Sequence, residues 1–448
     1  MRVLIIGSGG REHAIGKALY ESPSAEALDL QLYHIGPYRN YGLHEINFLL
    51  HRKRNMEFTP DKMQYFAQFN LTPECKSDIV KQAQTWQIDL AIIGPEAGLA
   101  MGLVDSLEKV GIACVGPTKR LAEIETSKLA ARHILEDLEL GRYNPIYRDI
   151  YNTAELVSFI KNNQYVIKAD GLAGGKGVHL PATQKDAEIS VRQMMIDKIY
   201  GDAGNILVFQ EKIIGPEVSV VTIVDGQNYH ILPLSQDHKR VFDHDKGPNT
   251  GGMGSYTPTP FVSKKLFKKI ESEIIQPTIM GMKQNNHPYN GFLYFGLMIV
   301  EGSPFVIEYN VRLGDPETQS QLPLIESDFV EILQSCIRGS LSSLSISHQA
   351  AVCVVLAAPG YPGKIETGQI VHNAETIQNS KSVLVFHAGT SNENGVIKVT
   401  SGRSLNVVGL GKNIKEAQTN VYKAIGKKNN GVYFDNMHYR KDIANYAI

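Results

Sequence analysis

The stretch Phe292–Gln319, FLYFGLMIVEGSPFVIEYNVRLGDPETQ, decides the fold of this chain. Leu293 to Val300 carries no charge on either face, the mark of a strand covered on both sides. A turn is expected at Glu301-Gly302-Ser303-Pro304, leading into a second strand. Alternation there sends Phe305, Ile307, Tyr309 and Val311 one way and Val306, Glu308, Asn310 and Arg312 the other. A carboxylate, an amide oxygen and a guanidinium would then share one face of a buried hairpin. Hard oxygen ligands suit Mg²⁺, which keeps waters and bridges to phosphates. A guanidinium holds an anion beside it. A solvated strand face has the same pattern, but the apolar partner strand and the Gly314-Asp315-Pro316 turn favour a site.

The hairpin sits in a chain of 448 residues, too long for one ordinary core, so two to four domains are expected. With 43% hydrophobic and 20% charged residues and a formal net charge of −1, the chain reads as globular, without a broad nucleic-acid footprint. Cys75, Cys114, Cys336 and Cys353 form no CxxC pair and read as reduced core residues of a cytoplasmic protein. No apolar run approaches the ~18–20 residues of a membrane span. Val3–Ile6 is too short for a secretory h-region.

Upstream, residues 1 to about 125 alternate buried strands (Val3–Ile6, Leu30–Ile35, Leu90–Ile93, Ala113–Val115) with helical stretches (Ala14–Tyr20, Asp78–Trp86, Gly102–Lys109). This is an α/β pattern with a parallel sheet, whose ligands gather at the carboxyl ends of the strands. The first such end is Gly7-Ser8-Gly9-Gly10-Arg11-Glu12-His13, where backbone N–H groups could approach an anion at a helix start. Glu12 stands where GxGxxG requires glycine, and Gly36-Pro37 follows the second strand where a ribose-holding acid would be. The turn is therefore not a dinucleotide fingerprint.

A helix begins near Lys128, capped by Ser127 or Thr126. Strand Tyr165–Ala169 leads through Asp170-Gly171-Leu172-Ala173-Gly174-Gly175-Lys176-Gly177 to strand Val178-His179-Leu180, with Lys168 and Lys176 at the shoulders. This is no Walker A loop, because Gly177 replaces its Ser/Thr and no helix follows. A flap closing over nucleotide phosphates fits better. Strand Ile206–Gln210, the hinge Glu211-Lys212-Ile213-Ile214-Gly215-Pro216-Glu217 and strand Val218–Val224 suit a nucleoside grip. The polar run from Ser235 through Asp237, Lys239 and Thr250-Gly251-Gly252-Met253-Gly254 has neither period and reads as a long substrate loop. Beyond about residue 335, strands Ala350–Ala358, Val383–Ala388 and Leu405–Gly411 and a helix near Ile414–Ala424 form a small α+β region that completes a site made elsewhere.

Together, the strings GSGGREHA, GPEAGLAMGLVD, IKADGLAGGKGV, SQDHKRVFDHDKGPNTGGMGSYTP, VIEYNVRLGDPETQ, GYPGKIETG and VFHAGT resemble, in this order and across nearly the whole chain, the phosphoribosylamine–glycine ligase family of the ATP-grasp enzymes. The resemblance implies a Rossmann-like α/β domain over 1–125, an ATP-grasp lid over 126–200, an ATP-grasp core over 201–335 and an α+β domain over 336–448. It also implies ATP and Mg²⁺ (or Mn²⁺), with glycine and 5-phosphoribosylamine as substrates of a monomeric enzyme that makes an amide through glycyl phosphate. Glu308 and Asn310 match the family's metal positions. Lys128, Lys168 and the flap with Gly171, Gly174, Gly175, Lys176 and Gly177 would neutralise the ATP phosphates, and Glu211, Lys212, Ile213 and Glu217 would hold the nucleoside. Arg312 would stabilise the transferred phosphoryl group, and Asp315 would orient an amine. Gly9, Gly10, Arg11, Gly94, Pro95, Glu96, Asp237, Lys239 and Thr250–Gly254 would hold substrate. The family's PGNxGT turn is replaced by Gly36-Pro37-Tyr38-Arg39-Asn40-Tyr41-Gly42, and a basic insertion-like stretch His51-Arg52-Lys53-Arg54 follows. The competing expectations are a ligase for another amine pair and a non-catalytic nucleotide-binding relative.

Overall fold

The computed structural model describes residues 1–53, 65–145, 147–150, 165–173, 177–284, 287–378, 380–427 and 430–448. Its amino-terminal sheet contains β1 (Arg2–Ile6), β2 (Gln31–Gly36), β3 (Phe66–Gln68), β4 (Leu90–Ile93) and β5 (Ala113–Val115), in the order β3-β2-β1-β4-β5. All its pairings are parallel. The order reverses between β1 and β4, so the turns after Ile6 and Ile93 open side by side at the crevice where doubly wound sheets bind ligands. Four of these strands follow from their apolar runs. The three-residue β3 is too short to show a period.

The helix Tyr41–Lys53 runs from the altered turn into the basic stretch, of which Arg54 lies outside the described residues. Leu43, Ile46 and Leu50 recur at helical spacing and are buried. His51 is buried with them, its ring nitrogens 2.7 Å from the Asn47 carbonyl and 2.6 Å from the Tyr65 hydroxyl. A basic-looking residue is thus part of a packed face.

The lid sheet has β6 (Tyr147–Ile150), β7 (Tyr165–Ala169), β8 (Val178–His179) and β9 (Leu207–Glu211), in the order β6-β9-β7-β8. The central antiparallel sheet has β10 (Glu217–Asp225), β11 (Tyr229–Ile231), β16 (Asn290–Val300) and β17 (Ser303–Asn310), in the order β11-β10-β16-β17. The polar run expected as a loop has backbone pairing of its own: β12 (Gln236–Asp237), β13 (Arg240–Phe242), β14 (Lys246–Asn249) and β15 (Gly254–Thr257). At two to four residues each, these strands are too short to show a two-residue period. β12 and β15 continue into β18 (Ala350–Ala357), β22 (Arg403–Gly411) and β19 (Val383–His387), one sheet of order β12-β15-β18-β22-β19, while β20 (Thr390–Glu393) and β21 (Val396–Val399) pair separately. All eight side chains of β18 are buried. Each large apolar one contributes roughly 1.5–3 kcal/mol, which seats the 235–257 segment on the carboxy-terminal sheet through the β15–β18 pairing.

The β16–β17 turn is tighter than expected, with Glu301 and Gly302 both at positive φ (49° and 76°). The strict alternation of β17 also fails. Register slips between Gly296↔Glu308 and Leu297↔Val306, leaving Ile307 bulged. Val306 consequently joins Tyr309 and Val311 in the core rather than the polar face. Only Glu308, Asn310 and Arg312, beyond the bulge, share that face.

Among the described residues, no helix is long and apolar enough to cross a membrane, and all four cysteines are free.

Candidate functional site

A cleft of about 1090 Å³ lies between lid, central sheet, amino-terminal sheet and carboxy-terminal sheet. It is larger than the ~300–1,000 Å³ usual for one small ligand. The bulge shapes its floor. It turns the Ile307 carbonyl toward the lid, where it accepts from Lys168 Nζ (3.0 Å) and Arg132 Nη2 (3.2 Å). Gly296 lies opposite Glu308, where a Cβ would stand 2.6 Å from Glu308 Cγ, so the missing side chain lets the glutamate lie over the sheet.

Glu308 keeps 39% of its side chain exposed to the cleft. Burial raises its pKa, but Lys239 and then Lys168 outweigh burial and bring it to about 2. It is a fixed carboxylate. With the Asn310 amide oxygen it offers two hard ligands, a set that fits a divalent cation whose other ligands are waters and phosphate oxygens. No cluster of three or more His, Cys, Asp or Glu suited to a metal occurs among the described residues.

Lys128 opens the helix Lys128–Asp137, capped by Ser127, whose hydroxyl accepts from Ala130 N. Its Nζ reaches the Gly171 carbonyl (3.2 Å), and Asp170 accepts from the Lys128 and Leu129 amides (2.6 and 3.1 Å). The lid loop is therefore tied to a helix start. Burial lowers the pKa of Lys128 and, with help from Arg132, pushes Lys168 well down.

The hinge residues Glu211, Lys212, Ile213 and Glu217 line the lid side of the cleft. Glu217 is paired with Lys239 (2.7 Å), which also approaches Glu308 (3.3 Å). One ammonium thus links the two acids expected to meet ribose and metal.

Opposite, Arg312 pairs with Glu125 (2.8 Å) and approaches Glu96 (3.5 Å), and its Nη2 reaches Asn310 Oδ1 (3.3 Å). Glu125 also accepts from the Val311 amide at 2.7 Å. Burial is the largest influence on Asp315 and would raise it; Arg403, Arg11, the Gln319 amide and Arg312 hold it below the usual carboxylate range. Arg11 donates to Glu12 (2.7 Å) and to the Leu313 carbonyl (3.1 Å). Glu12 also accepts from the Gly9 amide at 2.5 Å. The anion at this helix start is thus the chain's own carboxylate, which explains a glutamate where a dinucleotide turn has glycine.

Of the expected residues, Arg11, Glu96, Lys128, Lys168, Gly171, Gly177, Glu211, Lys212, Ile213, Glu217, Asp237, Lys239, Thr250, Gly251, Glu308, Asn310, Arg312 and Asp315 line this one cleft. Gly174, Gly175 and Lys176 lie outside the described residues. Gly10 and Gly94 lie against protein, making room for Asn406 and Glu12 respectively. Met253 is fully buried, and Gly254 packs under Ile443. In the altered turn, the Asn40 amide donates to the Ser8, Gly9 and His387 carbonyls (2.9, 3.1 and 2.8 Å), joining the first and last sheets.

Sequence reasoning passed over Glu125, Arg132, Glu317, Tyr361 and Arg403, all of them brought to this region by the fold. Glu317 lies in the quoted DPETQ and accepts from the Ser219 hydroxyl at 3.1 Å. Tyr361 lies in the turn of the quoted GYPGKIETG, whereas Glu125, Arg132 and Arg403 sit in helix or strand contexts with no local signal.

Three family models match the chain: phosphoribosylglycinamide synthetase N domain over residues 1–125, its ATP-grasp (A) domain over 126–318 and its C domain over 351–446. A phosphoribosylamine–glycine ligase of Caldanaerobacter subterraneus is 36% identical over 450 residues, covering 99% of both chains. One of Neisseria meningitidis serogroup B is 37% identical over the full length of both. The crystal structure of a phosphoribosylamine–glycine ligase from Thermotoga maritima superposes with a TM-score of 0.78 at 31% identity, covering 99% of this chain and 100% of the other. The biotin carboxylase domain of Hydrogenobacter thermophilus 2-oxoglutarate carboxylase, 12% identical with a TM-score of 0.70 over 98% of this chain and 91% of its own, shares the fold.

Proposed function

Because the chain belongs to the phosphoribosylamine–glycine ligase family of ATP-dependent ligases, we propose that its cleft activates glycine with ATP at the Glu308 end and completes the amide at the Asp315 end. The observation that carries this reading is that Glu308, Asn310, Arg312 and Asp315 enter one cleft with Lys128 and Lys168 facing them. A glycine carboxylate oxygen attacks the γ-phosphorus, the bond to the bridging oxygen breaks, and ADP leaves. The amine nitrogen of phosphoribosylamine then attacks the acyl carbon, expelling phosphate and losing a proton.

Such phosphoryl transfer needs positioning and charge neutralisation more than a protein nucleophile. Lys128 and Lys168 neutralise the phosphates from the lid side, and Arg312, held by Glu125 and Glu96, faces the transferred group. Mg²⁺ on Glu308 and Asn310 would neutralise phosphate charge when bound. The hinge 211–217 takes the nucleoside, and Arg11, Glu96, Asp237, Thr250 and Gly251 take the substrate side. The test follows ADP release with ATP, glycine and freshly generated phosphoribosylamine, omitting each in turn. Full turnover without phosphoribosylamine would overturn the reading.

A further inference from the structure

Arg403 begins β22, and its backbone is fixed in the carboxy-terminal sheet opposite Ala357. Its guanidinium leaves that sheet and enters the cleft. Nη1 donates to the Asp315 carbonyl (2.7 Å) and to the Gly251 carbonyl (2.6 Å), and Nη2 pairs with Asp315 Oδ2 at 3.2 Å. The same sheet's end sends Tyr361, whose hydroxyl accepts from the Gly251 amide at 3.1 Å. Gly251 is bare on the side of the guanidinium, where a Cβ would stand 3.1 Å from Arg403 Cζ.

One planar fork therefore holds the carboxylate and carbonyl of Asp315 together with the substrate loop, a geometry a lysine cannot reproduce. The other Asp315 oxygen, Oδ1, accepts from Gln319 Nε2 at 2.7 Å. With both oxygens partnered, the carboxylate has one orientation, and Oδ2 faces Gly9. Among the described residues, the guanidinium of Arg403 bonds to Asp315 and Gly251 and to none of Lys128, Lys168, the hinge or Glu308. Its influence is confined to the acceptor end of the cleft.

We propose that Arg403 is a positioning residue for amide formation, through which the carboxy-terminal sheet orients Asp315 and the Gly251 loop toward the acceptor amine. This rests on the reading that Asp315 meets that amine. A purely structural clasp between sheets would affect every substrate alike. A positioning residue affects only the amine.

The test uses the full chain with Arg403→Met, Arg403→Lys, Asp315→Asn and the double variant Asp315→Asn/Arg403→Met. For each, the KM of ATP, glycine and phosphoribosylamine, kcat, nucleotide binding and the acid limb of the pH–rate profile are measured. Misplacing a reacting group by about 1 Å costs up to roughly a hundredfold. For Arg403→Met, kcat/KM for phosphoribosylamine should fall roughly ten- to hundredfold, with nucleotide binding and the KM of ATP unchanged. Its acid limb should move to higher pH because Asp315 loses its cationic partner. Arg403→Lys should restore the acid limb but only part of the rate. The double variant should be no worse than Asp315→Asn, since both act through one carboxylate. Wild-type amine kinetics in Arg403→Met beside an impaired Asp315→Asn overturns the proposal alone, as does a uniform loss for all three substrates. Unchanged kinetics in Asp315→Asn overturns the reading beneath it. If Arg403→Met does not fold, Arg403→Lys against Asp315→Asn decides the same question.

Discussion

The Lys239 ammonium stands 3.3 Å from the Glu308 carboxylate, so the face offered to a divalent cation already carries an internal one. Both side chains are partly exposed, 29% and 39%, so the pair contributes at most about 1 kcal/mol. Lys239→Met should therefore tighten Mn²⁺ binding without nucleotide by about fivefold. Electron paramagnetic resonance of free Mn²⁺ measures this. Unchanged or weaker binding would show that the lysine does not compete for Glu308.

Glu308→Gln keeps the volume and removes the charge. Turnover should drop by roughly 10²–10³-fold, with the melting temperature little changed, because the side chain lies over a glycine rather than in the core. ADP release beside differential scanning fluorimetry checks both. Normal turnover at an equal melting temperature refutes the metal assignment.

Burial and then Arg132 push the pKa of Lys168 well below that of a free lysine. Nucleotide phosphates favour its charged form. ATP binding should then take up protons, and Lys168→Met should abolish the uptake. Calorimetry in buffers of different ionisation enthalpy reads this directly; identical heats in all buffers would refute it.

Gly252 adopts φ +110°, and a Cβ there would collide with Pro316 and approach Asp237 Oδ1 to 2.8 Å. Gly252→Ala should strain the substrate loop by about 1–3 kcal/mol. The KM of the amine substrate should rise while nucleotide affinity holds. An alanine variant with wild-type kinetics would show that the loop adjusts freely.

Burial first of all depresses His34 and His238 to about 4 and His387 to about 3, and lowers His13 as well. A base whose pKa falls on folding binds protons preferentially in the unfolded chain. Its neutral burial costs nothing above the unfolded value of about 6.5 and destabilises progressively as pH falls toward 4. Glu308 and Asp442, both near 2, lose their contribution only below the ordinary carboxylate value, in a lower window. The denaturation midpoint should therefore decline between about pH 6.5 and pH 4.5 through the histidines. A flat midpoint over that range refutes their neutral burial.

Much of the site could be read locally. Apolar runs locate β1, β2, β4 and β5, and Ser127 marks its helix start, because period and capping depend on neighbours a few residues away. Glu308, Asn310 and Arg312 share a face by the same two-residue repeat. The motif strings identify the family and with it the ATP-dependent chemistry. The bulge at Ile307 leaves no mark in composition, so the place of Val306 and the lysine-binding carbonyl were decided only when β17 paired with β16. Lys239 meets Glu308 across 69 residues of chain, and Arg403 meets Asp315 across 88. Such contacts depend on how whole sheets dock, which no local repeat encodes. The quoted hairpin determines which groups line the cleft, and packing between separate sheets determines the charges that hold them there.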